Sequence, residues 1–117
     1  MSVKFYDKYN RLLKESNKKS DRCEENTLNR DMIIYLEVEG GNITLNFELK
    51  DKNINKWFPY QYDDGVQIVN YTRTFKPGKY RLILPTTKNE DTIAVIFESQ
   101  NEYTNANIYI VPNFTQY

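Results

Sequence analysis

Two adjacent glycines, Gly40 and Gly41, separate two stretches of strictly alternating character, and no other feature of the chain constrains its fold as tightly. Met32, Ile34, Leu36 and Val38 precede the pair at every second position, and Ile43, Leu45, Phe47 and Leu49 follow it at the same spacing. A period of two puts each set on one face of a β-strand. Glycine supplies the positive φ angles that tight type I′ and II′ turns demand, so the expectation is a two-residue hairpin in which Glu39 faces Asn42. Val38 then lies opposite Ile43, Leu36 opposite Leu45, Ile34 opposite Phe47 and Met32 opposite Leu49. The second face carries Glu37 with Thr44, Tyr35 with Asn46, and Ile33 with Glu48. A slip of one residue would destroy both faces.

Further strand signals follow. Residues 51–55 form a polar turn, and residues 56–60 a short strand that Pro59 confines to an edge or an end. Asp63, Asp64 and Gly65 make the next turn, residues 67–73 a strand, and Lys76, Pro77 and Gly78 another turn. Residues 80–84 form a strand closed by Pro85. Residues 92–98 carry apolar side chains on both faces, as a strand covered on both sides does, and residues 106–111 complete the set before Pro112. Seven strands at intervals of about a dozen residues, with no helical pattern among them, predict an antiparallel β-sandwich, immunoglobulin-like or jelly-roll-like, or a small barrel.

Residues 1–31 have a different texture, with eight basic and six acidic residues and almost no apolar side chain after Leu13. The expected division is an N-terminal arm over residues 1–31 and a sandwich over residues 32–117. Residues 3–13 read as a short hairpin with a polar turn, and Phe5, Tyr9, Leu12 and Leu13 also fit a helical stripe. Residues 16–29 have the composition of a solvated linker.

With 117 residues the chain has the length of one domain. Its sixteen basic and sixteen acidic residues cancel, which leaves no field to hold nucleic acid or an anionic membrane. Cys23 is the one cysteine, so no intrachain disulfide forms, and its charged neighbours suggest an inert surface thiol. No secretory leader pattern is visible, and no run approaches the roughly 20 apolar residues of a membrane span, which points to a soluble chain made in a cytoplasm.

The absence of histidine removes the commonest general base and metal ligand, and with it any Ser-His-Asp or Cys-His arrangement. No glycine-rich phosphate loop exists. Glu37 and Glu39 lie about 7 Å apart along one strand face, a spacing also used by glycosidases, but ordinary for a solvent face. Asp63 and Asp64 suit a plain turn better than a calcium loop, which needs more oxygen ligands. The expectation is a protein without catalytic residues, cofactor or metal.

Aromatic residues remain. Trp57, Phe58, Pro59, Tyr60 and Tyr62 crowd six positions, either as core and rim packing, in which alternation sends Trp57 into the core, or as exposed rings that stack on sugar or protein. Tyr35 and Tyr109 point outward. Candidate partner-contact residues are Phe5, Tyr6, Leu12, Leu13, Tyr35, Trp57, Phe58, Tyr60 and Tyr62. Three Asn-X-Thr triplets, at Asn42, Asn70 and Asn113, are expected by chance in a chain so rich in asparagine.

From residue 42 to residue 112 the pattern resembles the small β-sandwich domains of bacteriophage structural proteins that decorate capsids or form head and tail appendages. The features that carry it are the alternating strand at residues 43–49, the aromatic-proline segment Trp57, Phe58 and Pro59, and the turn glycine Gly65. The run Phe75-Lys76-Pro77-Gly78-Lys79-Tyr80-Arg81 and the strands at residues 93–98 and 106–111 complete it. Immunoglobulin-like and galactose-binding-like sandwiches share several of these features, and residues 1–31 lie outside them. The resemblance implies a virion component, made in a bacterial cytoplasm and without an active site, that acts as an auxiliary capsid or decoration subunit. Its partners would be capsid or appendage proteins of the same virion, with homo-oligomers left open. The alternative is a carbohydrate-binding module that recognises host-surface glycans through Trp57, Tyr60 and Tyr62.

Overall fold

The computed structural model describes residues 1–114 and contains strands and turns, with no helix among those residues. Twelve strands follow one another: β1 (Ser2–Tyr6), β2 (Leu12–Ser16), β3 (Ser20–Asn26), β4 (Met32–Glu39), β5 (Ile43–Asp51), β6 (Lys56–Pro59), β7 (Gln61–Asp63), β8 (Ile68–Asn70), β9 (Thr72–Phe75), β10 (Gly78–Leu84), β11 (Glu90–Glu98) and β12 (Asn105–Pro112). A front sheet has the order β10-β4-β12-β1-β2. A back sheet has the order β3-β11-β5-β6, with β9 also paired to β5. β7 and β8 pair only with each other, as a small separate hairpin.

The stretches flanking Gly40 and Gly41 are strands, as their alternation requires, but they do not pair. β4 hydrogen-bonds to β10 and β12 in the front sheet, whereas β5 hydrogen-bonds to β11, β6 and β9 in the back sheet. The expected hairpin is therefore an arch between layers. Met32, Ile34, Leu36 and Val38 still meet the interior, as do Ile43, Leu45, Phe47 and Leu49. They do so from two sheets rather than side by side in one. Alternation specifies which residues face inward and is equally satisfied by both arrangements.

The glycines are needed for a different reason from the one expected. A Cβ on Gly40 would lie 1.9 Å from the carbonyl oxygen of Tyr103, and one on Gly41 would lie 2.6 Å from the Asn101 side chain and from Thr104 Oγ1. Only Gly40 has a positive φ, 84°. The loop before β12 presses against this corner, where Ser99 Oγ and Thr104 Oγ1 both donate to the carbonyl of Asn42.

The core lies between the sheets. Phe5, Phe47, Phe75 and Phe97 are its largest wholly buried side chains, and Phe5 and Phe97 meet with ring centroids 6.0 Å apart. Phe5 belongs to the segment expected to be an arm. Residues 1–31 instead supply three strands. β1 and β2 are the short hairpin, not a helix, and β1 lies inside the front sheet between β12 and β2. It runs parallel to β12, the one parallel pairing among the described residues. The expected linker contains β3, which pairs with β11 along seven residues. The charges that gave this segment a linker-like composition point out of the sandwich or close its open side. Lys14 Nζ, from β2, donates to Asp21 Oδ1 and to the Arg22 carbonyl of β3, at 2.8 and 2.9 Å. Cys23 is a core residue rather than a surface one, and burial, aided by Glu25, Glu24 and Asp21, pushes its thiol up to about 11.

The expected seven strands become twelve because residues 1–31 contribute three, Tyr71 divides residues 67–73 into β8 and β9, and β7 is an additional short strand.

Candidate functional surface

The front sheet positions its outward residues in rows, because strands in register place corresponding residues side by side. One row, read across the sheet from β10 to β2, is Arg81, Tyr35, Tyr109, Tyr6 and Leu12. The row beside it is Lys79, Glu37, Asn107, Lys4 and Glu15. The tyrosines alternate with buried neighbours: Tyr35 with Ile34 and Leu36, Tyr109 with Ile108 and Ile110, and Tyr6 with Phe5.

In the first row, Tyr6 and Tyr109 stack with centroids 4.9 Å apart and planes 19° from parallel. The Arg81 guanidinium lies 6.0 Å from the Tyr35 ring, and Leu12 ends the row 53% exposed. Ile83, half exposed, extends the apolar area to the next level, beside the buried Ile33. The second row is polar. Glu37 Oε1 accepts from Asn107 Nδ2 at 3.3 Å and from the Tyr109 hydroxyl at 3.4 Å. Burial, then the Glu37 carboxylate, raises the Tyr109 hydroxyl above its ordinary pKa. A shallow open groove of about 500 Å³ runs along this row, lined by Lys4, Glu37, Glu39, Lys79, Asn105 and Asn107 among others.

The other aromatic candidates lie elsewhere. Trp57, expected in the core, is half-buried on the back sheet, where the Arg22 guanidinium sits 4.9 Å and Lys50 Nζ 5.8 Å from its ring. Trp57 pairs with Lys50, an outward position of β5, and this register turns its ring away from the sandwich interior. Phe58 is exposed on the same strand. Tyr60 and Tyr62 gather around Tyr71 at the base of the β7-β8 hairpin, edge-on to its ring at 78° and 67°. Trp57, Tyr60 and Tyr62 therefore do not form one flat platform. Phe5 cannot touch a partner, since it is wholly buried; Leu13 is the extra residue at the β1-β2 bulge and is partly exposed.

Tyr6, Leu12 and Tyr35 are thus brought together, and Tyr109, Arg81, Lys4 and Glu37 join them. Alternation within a strand signals that these residues point outward. Their alignment depends on β12 lying between β4 and β1, which no local pattern encodes.

Three of the carboxylate candidates, Glu37, Asp63 and Asp64, are engaged in structure, and Glu39 is exposed. Glu37 is held as described, Asp63 Oδ1 accepts from the Gly65 amide, and Asp64 Oδ1 accepts from the Val66 and Gln67 amides. Among the described residues no group of three or more histidine, cysteine, aspartate or glutamate side chains stands close enough to hold a metal. The triplet at Asn113 ends at Thr115, outside the described residues. No protein-family model matches the chain, and a search of curated proteins finds no match.

Proposed function

We propose that this chain is a non-enzymatic contact protein whose front-sheet face binds a protein partner, as an auxiliary capsid or decoration subunit of a phage virion would. The observation that carries the contact reading is the row Arg81-Tyr35-Tyr109-Tyr6-Leu12, three tyrosines flanked by an arginine and a leucine side by side on a rigid sheet, with Arg81, Tyr35 and Leu12 exposed and Tyr109 and Tyr6 half-buried. Tyrosines at the centre of a rigid patch, with an arginine at its margin and polar side chains beside them, have the composition of energetic centres in protein interfaces. The virion assignment is supported by the sequence pattern of residues 42–112. Protein is favoured over sugar because Tyr60 and Tyr62 stand edge-on to Tyr71 and Trp57 is flanked by two cations.

The test is co-sedimentation with intact parent particles. The wild-type chain is expected to sediment with them, and the Tyr35→Ala/Tyr109→Ala variant, shown folded by circular dichroism, to stay in the supernatant. A wild-type chain that stays free, or a variant that binds equally well, would overturn the reading. Saturable quenching of Trp57 fluorescence by a glycan would shift it to sugar recognition.

A further inference from the structure

We infer that the front-sheet face docks against the same face of a second copy, with the twofold axis running along β12. This names a partner for the contact function proposed above and rests on that reading. Any surface that pairs with its own copy about a twofold must be complementary to itself. The polar row meets that condition by its order.

From β10 to β2 it reads Lys79, Glu37, Asn107, Lys4, Glu15: cation, anion, amide, cation, anion. A twofold along the middle strand reverses the order in the second copy. Lys79 then faces the second copy's Glu15, Glu37 faces its Lys4, and Asn107 faces Asn107. Every charge in the row meets its opposite. In the aromatic row the same operation sets Tyr35 against Tyr6, Tyr109 against itself, and the aliphatic stem of Arg81 over Leu12, with the guanidinium left at the rim. Other strands do not serve as the axis. Placed along β4 it would set Lys79 against Asn107 and leave Lys4 unmatched; along β1 it would set Asn107 against Glu15 and leave Glu37 unmatched.

The geometry permits the contacts. Sheets packed face to face lie about 10 Å apart with strands crossing at about 30°. β4 and β1 each lie about 4.8 Å from β12, so the crossing displaces Glu37 from the opposing Lys4 by roughly 2–3 Å, within reach of a lysine side chain. Five strands and the rows from Glu39 to Ile33 cover roughly 24 by 20 Å, or about 1,000 Å² over both copies, near the lower bound for a specific interface. The expected dimer is accordingly weak and in exchange with monomer.

Sedimentation velocity of the full chain, from micromolar to millimolar concentration, tests this. The wild-type chain is expected to shift from monomer to dimer as concentration rises. Lys4→Glu and Glu37→Lys each place two like-charged pairs beside the axis and are expected to weaken the dimer at least tenfold. The double variant Lys4→Glu/Glu37→Lys restores opposite charges and is expected to restore the dimer. Asn107→Cys supplies an independent readout. The two backbones at this position lie about 10 Å apart, beyond the Cα–Cα distance of about 7 Å that a disulfide tolerates, while the thiols between them are within the span of a short bismaleimide. Cross-linked dimer is expected with Asn107→Cys and not with the wild-type chain, whose Cys23 is buried.

A chain that stays monomeric at millimolar concentration would overturn the pairing. So would a dimer that survives both single charge reversals, or a double variant as weak as the single ones. A monomeric chain that still binds particles through Tyr35 and Tyr109 would overturn the pairing and leave the contact function standing. A dimer that forms through this face while particle binding ignores those rings would do the reverse.

Discussion

On the back sheet the outward aromatic residue, Trp57, is flanked by Arg22 and Lys50, and Arg22 is held in turn by Glu48 at 3.0 Å and Glu24 at 3.5 Å. On the front sheet Tyr35 is more than a third exposed and has Arg81 at the margin of its ring, while Tyr109 and Tyr6 have each other. Both faces grow from strands whose inward residues are apolar and buried. They differ in how their outward groups are satisfied. The back face meets most of its needs within the chain, through ion pairs, cation–π contacts and the Thr44–Thr74 hydroxyl bond, with Arg22 Nε left in an ion pair but without a hydrogen bond. The front face aligns an apolar row with a charged row and leaves the apolar row open to solvent. A polar outward surface needs no partner, and an aligned aromatic row gains from one.

The front rows exist only because β1 is an interior strand, and the largest expected effect tests that placement. Phe5→Ala is expected to cost about 3–5 kcal/mol in urea unfolding, as the loss of a wholly buried phenylalanine does. A cost below about 1 kcal/mol would mean that residues 2–6 are an appendage and that the front face lacks its Tyr6 and Lys4 column.

The contrast between the faces is sharpened by a pair of substitutions. Trp57→Ala is expected to destabilise the chain by about 1–2 kcal/mol, through lost cover and cation–π contact. Tyr35→Ala is expected to stay within about 0.5 kcal/mol of wild type, as substitutions on open surface do. Equal costs would erase the distinction between a face satisfied internally and one that is not.

The smallest effect concerns acid. Burial opposes ionisation of Asp21, but hydrogen bonds from Lys14 and from the Arg22 amide outweigh it and hold the carboxyl at about 2. The unfolded value is about 3.9, so between these values the unfolded chain binds more protons. Stability contributed by Asp21 is therefore present above pH ~4 and lost as pH falls towards ~2. Asp21→Asn is expected to flatten that part of the acid unfolding curve, measured by circular dichroism; an unchanged slope would show that the clamp between β2 and β3 carries no weight.

The inward faces were legible from alternation alone from Met32 to Leu49 and again in residues 106–110, whereas residues 93–97, apolar on both faces, marked a central strand without saying which side faces the core. The Asp63-Asp64-Gly65 turn was legible from side chains that bond their own backbone. The N-terminal strands were obscured because β2 and β3 are edge strands, whose outward and rim positions carry charge; composition there resembles a linker even though Ser16 and Cys23 are buried. The candidate surface was legible only in pieces: Tyr6, Leu12 and Tyr35 could each be marked as outward, with nothing to show that they share a row.

What this amino-acid sequence determines by itself is the all-β character of the chain and the side of each main strand that is buried, because a period of two and the placement of glycine and proline are local properties. Tertiary structure alone decided that β4 and β5 face each other across the core rather than pair, that β1 lies beside β12, and that Lys4 and Glu37 flank Asn107. Those outcomes depend on which strands become neighbours, and backbone hydrogen bonds between strands are indifferent to sequence. The choice is made by packing the whole interior at once, with Tyr103 against Gly40 and Phe5 against Phe97.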